Sequence, residues 1–225
     1  MMGDHADDLP AGGICDCLEY VSAHPDHVLG YVHMDGLISL PMTQNAILDG
    51  TEAKFKADAA YEEDLSEQER AENILKAVRQ LRALPPSSPK RFIRALGLAM
   101  GPADLYFARD PQTGWAGLNG KAAEATRPYG VPFTALLPAW EPLAAMIQNE
   151  HYLTRDDRPL FARITVPTLV LNGKQDGLTT PEGAELVQSG IKGARLILLD
   201  ACGHFPFAEQ PEKTTDAVRE FVNHN

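Results

Sequence analysis

The sequence predicts an α/β fold with about three parallel strands, flanking helices and a helical insertion between the first two strands. Two observations near the C-terminus carry most of this. Val166 to Gly173 is an apolar run that leads into Asp176, and Leu196 to Asp200 is another that leads into Gly203 and His204. Each is short and bounded by turn residues, the pattern of a buried strand. A third observation lies near the N-terminus, where Val28 to Met34 has the same character and ends at Asp35 and Gly36.

Taken in order, Gly12 to Pro25 carries Ile14, Leu18 and Val21 at helical spacing, with Pro25 as the stop. The strand Val28 to Met34 follows. From Gln44 to Arg82 the chain is strongly charged and helical in period. Ile74, Val78 and Leu81 form one apolar stripe, while Asp58, Glu62, Glu63, Asp64, Glu67, Glu69 and Glu72 fall on the solvated side. Leu84 to Pro89 is a loop, and Ser88 with Pro89 predicts a new helix start near Lys90. That helix runs on through Arg91 to Met100. Gly101 to Gly120 is rich in glycine, proline and aromatics, and Val131 to Asn149 is apolar and helix-compatible, interrupted by Pro138 and Pro142. After the strand Thr168 to Asn172, a helix at about Pro181 to Ser189 and a strand at Arg195 to Leu199 fill the interval before His204, as a parallel crossover requires. Open α/β sheets place their chemistry at the C-terminal strand edge. An acid after one strand and a histidine after the next is how a serine-type enzyme orients its general base, so Asp176 and His204 are the candidate catalytic residues.

Composition narrows the classes. The 225 residues are 44% hydrophobic, enough for one sizeable core or a core with a small appended domain. A formal net charge of −11, with no basic run to offset it, argues against a nucleic-acid surface and against attraction to an anionic membrane. Small molecules, short peptides or other proteins are the expected partners. No apolar stretch approaches the roughly 18 residues of a membrane span. The start, Met1 to Pro10, is acidic, so a soluble, cytoplasmic protein is expected. Cys15, Cys17 and Cys202 are odd in number and lack metal-type spacing, which fits free thiols in a reducing compartment. His24 and His27 read as a surface turn. His5, His33, His151 and His224 lack a second ligand at metal spacing, and there is no glycine-rich phosphate loop, so neither metal nor cofactor is expected.

The stretch Ile164 to Asp176, followed by Ala201 to Glu212, resembles the C-terminal end of the α/β-hydrolase superfamily, and within it the proline-iminopeptidase-like group. There the acid has a G-x-x-D setting, matched by Gly173 and Asp176, and the histidine a G-H setting, matched by Gly203 and His204. The helix and strand of Gly12 to Met34 resemble the segment that follows the family's nucleophile elbow, a G-x-S-x-G-G turn. The resemblance implies a partial α/β-hydrolase fold: residues 12–42 and 160–225 as half of the core, 43–159 as a helical cap, and 1–11 as a segment unlike the family. It also implies hydrolysis of a peptide, amide or ester bond.

One part of the family pattern is absent from the sequence. Aligning Gly12 and Gly13 with the elbow's closing glycines puts Pro10 in the nucleophile's place and Asp8 where glycine is used. No Ser, Thr or Cys has glycine two residues before and two after; Cys15 comes nearest, with Gly13 before it but Cys17 after it. The expectation is therefore a family member lacking the nucleophile-bearing half, through truncation or an altered reading frame, and inactive by itself. The alternative is a non-catalytic remnant or binding protein that uses the cap and half-sheet as an interaction surface. An exposed, apolar sheet edge at Val28 to Met34 would then favour self-association. Tyr106, Phe107, Trp115, Phe133 and Trp140 are read as core, the other possibility being the roof of a substrate site. The acidic face between Asp58 and Glu72 is read as solvated, the other possibility being a hold on a substrate amine.

Overall fold

The computed structural model describes residues 16–61, 65–108 and 148–224. Pro10, the expected helix start at Gly12, Trp115, Phe133, Trp140 and the apolar stretch up to residue 147 lie outside them, as do the side chains of Asp58 and Glu62 to Asp64.

In chain order the elements are α1 (Asp16–Ala23), a 3-10 turn (Pro25–His27), β1 (Tyr31–Met34), α2 (Leu40–Tyr61), α3 (Leu65–Arg82), α4 (Pro89–Met100), α5 (Glu150–Leu153), a 3-10 helix (Arg158–Arg163), β2 (Thr168–Gly173), α6 (Pro181–Gly190), β3 (Arg195–Leu199), α7 (Pro206–Glu209) and α8 (Pro211–His224). The three strands form one parallel sheet in the order β1-β2-β3. Val170 lies opposite His33 on one side and Leu196 on the other. Central β2 is buried along its whole length, which explains its unbroken apolar run. Successive side chains serve opposite faces. Val170 joins Leu18, Val21, Tyr31, Val187 and Ile191 in a core that includes residues of α1 and α6. Leu171 joins Leu199, Cys202 and Ala217 of α8 on the other side.

Two element boundaries differ from expectation. The first strand begins at Tyr31 rather than Val28. Pro25 sets up a 3-10 turn, and the Val28 amide closes it onto the Pro25 carbonyl at 3.4 Å, so this residue belongs to the turn. Leu29 is left 94% exposed. The charged stretch up to Arg82 is two helices, and the first begins at Leu40, before Gln44. Ser39 starts it: its Oγ accepts from the Met42 amide at 3.4 Å, as a capping serine does. On α3, Val78 and Leu81 are buried and Ile74 is partly so, while Glu67, Glu69 and Glu72 are exposed. On α4, Ser88 accepts from the Arg91 amide and Pro89 occupies the first turn.

Where the chain leaves the sheet and where it returns, the two segments are tied together. Ser39 bridges Asp156, the Leu40 amide donates to the Arg155 carbonyl at 3.1 Å, and the Asp157 amide donates to the Ile38 carbonyl at 2.7 Å. The Arg155 guanidinium holds both Asp157 at 2.8 Å and Glu19 of α1 at 3.2 Å. These contacts fix the base of the helical insertion against the first core helix.

Candidate active site

Adjacent parallel strands release their loops at the same sheet edge, and here they bring Asp176 and His204 together. The His204 Nδ1–H donates to Asp176 Oδ2 at 2.9 Å. The residue is 3% exposed, and its carboxylate also accepts from its own loop. Oδ1 accepts from the Leu178 amide at 2.8 Å and the Thr179 amide at 3.1 Å, and Oδ2 also accepts from the Thr179 hydroxyl. The loop is braced by Asn172, whose Nδ2 donates to the Thr179 carbonyl at 2.8 Å and the Gly173 carbonyl at 3.1 Å. Asp176 is therefore held in one orientation before it meets the imidazole. With Nδ1 committed, Nε2 has no hydrogen-bond partner among the described residues, and it is the nitrogen left to take a proton.

The histidine loop is positioned as firmly. The His204 amide donates to the Tyr106 carbonyl at 2.6 Å, and its ring meets Tyr106 and Phe205 edge-on, with centroids 5.4 and 5.2 Å away. Burial, with the Asp176 charge adding to it, pushes the Tyr106 phenol up and keeps it protonated. Glu209 of α7 gathers the loop from below. Its Oε1 accepts from the Gly203 and Phe205 amides at 3.0 and 3.2 Å, and Oε2 accepts from the Ala108 amide at 2.9 Å. Gly173 and Gly203 let these segments approach. A Cβ on Gly173 would sit 2.1 Å from the Gly203 carbonyl oxygen, and one on Gly203 would sit 2.4 Å from that of Tyr106. Tyr106 and Phe107 are buried as expected for core, and Tyr106 in addition forms one wall beside His204.

Cys202 is a buried free thiol. Burial first, and Glu209 second, push it up to about 12, so it stays a thiol rather than a thiolate nucleophile.

Three supporting residues were not singled out from sequence. Thr179 acts through a local loop bond, and Glu209 through amides of its own loop and of distant Ala108, none of which has a spacing signature. Asp35 had a signal: it ends a buried-type strand just as Asp176 follows one. Its Oδ1 accepts from the Gly173 amide at 3.1 Å, and the residue is 7% exposed at a φ of 42°. The three neighbouring strands thus present Asp35, Asp176 and His204 side by side at one edge.

A family model described as the alpha/beta hydrolase fold matches residues 15–211. Among characterised proteins, a pimeloyl-(acyl-carrier protein) methyl ester esterase of Neisseria meningitidis is 34% identical over 67 residues, covering 30% of this chain and 26% of that protein. A proline iminopeptidase of Saccharolobus solfataricus is 36% identical over 61 residues, covering 27% of this chain and 19% of that protein. A human monoacylglycerol lipase is 35% identical over 60 residues, 27% of this chain and 18% of that protein. Of solved structures, an alpha/beta hydrolase enzyme from a Medee basin deep-sea metagenome library aligns with a TM-score of 0.50 at 18% identity, over 92% of this chain and 60% of that one. An N-acyl homoserine lactone degrading enzyme aligns with a TM-score of 0.52 at 16% identity, over 91% and 62%. The matches span about a quarter or less of these characterised relatives and about 60% of the solved chains. A parallel sheet with an acid and a histidine at its C-terminal edge, and a family match over most of its length, mean that this chain belongs to the α/β-hydrolase family.

Proposed function

We propose that Asp176 and His204 are the acid and general base of a serine-type hydrolase site for a peptide, amide or ester bond in a small molecule or short peptide. The observation that supports this is the buried Asp176 carboxylate on Nδ1, which leaves Nε2 for chemistry. In such a site Nε2 removes the proton from a nucleophilic hydroxyl as its oxygen bonds to the substrate carbonyl carbon. The imidazolium, steadied by Asp176, then returns that proton to the leaving group. Helices α2 to α4, which share a core with Leu178 beside the acid loop, belong to the cap of this site. The odd cysteine count and the buried free thiol of Cys202 support a reducing, cytoplasmic setting.

This chain supplies the base and its orienting acid. No Ser, Thr or Cys in its sequence has the elbow spacing, and Pro10 takes the nucleophile's aligned place, so we propose that the chain by itself does not turn over substrate. The same observation favours the second reading, a non-catalytic binding protein that uses the cap and half-sheet as its surface. Purified protein is therefore expected to hydrolyse short-chain nitrophenyl esters and aminoacyl-proline substrates no faster than a His204→Ala variant, and to take no fluorophosphonate label. A serine label that disappears in His204→Ala would overturn the expected inactivity. Fusion of a segment carrying G-x-S-x-G separates the two readings: His204-dependent turnover supports the hydrolase site, and its absence in a folded fusion supports the binding protein.

A further inference from the structure

Asp35 Oδ2 is buried and has no donor to it among the described residues. The Gly173 amide bonds Asp35 Oδ1 and the Gly173 carbonyl accepts from the Asp176 amide, so one turn joins the two residues, and a side-chain hydrogen bond to Asp176 raises the Asp35 carboxyl. Two carboxylates offer each other only acceptors, and two buried like charges side by side repel. Asp176 already receives four donors, from the Leu178 and Thr179 amides, the Thr179 hydroxyl and His204 Nδ1. Asp35 receives one, from the Gly173 amide. The proton that resolves the clash therefore belongs on Asp35.

We propose that Asp35 Oδ2 carries a proton and donates it to the Asp176 carboxyl group, making Asp35 a positioning residue that holds the acid in place for His204. The role as positioning residue rests on reading Asp176 and His204 as the acid and base of the site. The surroundings reinforce it. Burial first, then the charge of Asp176, and more weakly that of Glu209 from α7, push the Asp35 carboxyl up to about 8. Cys202 beyond β3 stays neutral, and so does Tyr106 after α4. His204 is bonded to Asp176 Oδ2. On β1 itself, burial lowers His33 to about 4, so its imidazole is neutral, accepting from the Tyr31 hydroxyl and donating to the Gly36 carbonyl.

The sign of the pH effect follows. Asp35 binds its proton more tightly folded, about 8 against an ordinary 3.8, so stability falls as pH rises between these values. His33 acts in the opposite direction: its contribution is present above 6.5 and is lost as pH falls towards about 4. Between 6.5 and 8 only Asp35, of these two, contributes a slope. One proton of difference raises the unfolding constant by up to about tenfold per pH unit.

The test is carbon NMR of the full chain with labelled aspartate carboxyls, joined to urea unfolding from pH 6.5 to 9. One carboxyl, identified by its loss in Asp35→Asn, is expected to titrate near pH 8 and to move lower in Asp176→Asn, where a like charge is gone. Asp35→Asn keeps an acceptor for Gly173 and an N–H for Asp176, so it is expected to match the wild type near pH 6.5 and to lack its loss of stability towards pH 8. Asp35→Ala is expected to be less stable throughout. An Asp35 carboxyl that titrates near pH 4, or Asp35→Asn with the same pH slope as wild type, would overturn the proposal. Neither readout uses turnover, so an inactive hydrolase site and a missing shared proton are distinguished.

Discussion

Gly203 sits where three backbone segments meet, and its missing side chain sets the distance between the histidine loop and the loop that follows α4. A Cβ there would meet the Tyr106 carbonyl oxygen at 2.4 Å and the Ala108 nitrogen at 2.7 Å, both backbone atoms that cannot rotate away. The neighbouring His204 amide is bonded to the same Tyr106 carbonyl. Gly203→Ala is therefore expected to push this bond open as well as to strain the loop. The cost should be that of an overpacked site, about 1–3 kcal/mol. Urea unfolding should show a lower midpoint at unchanged slope, the mark of lost stability without a changed extent of unfolding. An unchanged midpoint would mean that the loops have room to separate and that the glycine does not set their spacing.

At the scale of elements, β2 is the strand on which the others depend. It pairs with both neighbours, and Leu171 within it is fully buried against Leu199, Cys202 and Ala217. Leu171→Ala removes contacts from a position flanked on both sides by strands, where little can move in. A loss of about 2–5 kcal/mol is expected by denaturant unfolding, and a loss below 1 kcal/mol would show that the face beneath α8 is loosely filled. The same burial explains what was legible beforehand. β2, α6 and β3 were readable because the full burial of β2 and the partial burial of β3 each write an unbroken apolar run, with a helix-sized interval between the two. Asp176 and His204 were readable because each follows such a run. The start of β1 was not, since Val28 and Leu29 look like strand but the Val28 amide is claimed by the Pro25 turn. The start of α2 depends on Ser39, a single capping side chain outside the apolar pattern. Asp35 was visible as a residue, but its importance comes from pairing register, which sets β1 beside β2 and so its carboxyl beside that of Asp176.

At the scale of the whole molecule, the sheet of the described residues has β1 at one end, and we propose that its outer edge is where one copy of the chain meets another. Tyr31 and Asp35 donate their amides inward, to the Pro167 and Leu171 carbonyls at 2.9 and 3.1 Å. Strand hydrogen bonds alternate in direction, so the amides of Val32 and Met34 point away from β2. Among the described residues no strand pairs with them. A row of outward backbone groups on an apolar strand is a template for another strand, and the net charge of −11 opposes association only at long range and is screened by salt. Self-association that strengthens as salt is added is therefore expected, and light scattering over a range of concentrations should record it. Val32→Pro removes an amide that β2 does not use, so this variant should keep its helical circular dichroism while its scattering mass falls to that of the monomer. A wild-type chain that stays monomeric at high concentration and high salt would count against the edge as the contact. Association retained in a folded Val32→Pro variant would move the contact to another surface of the molecule.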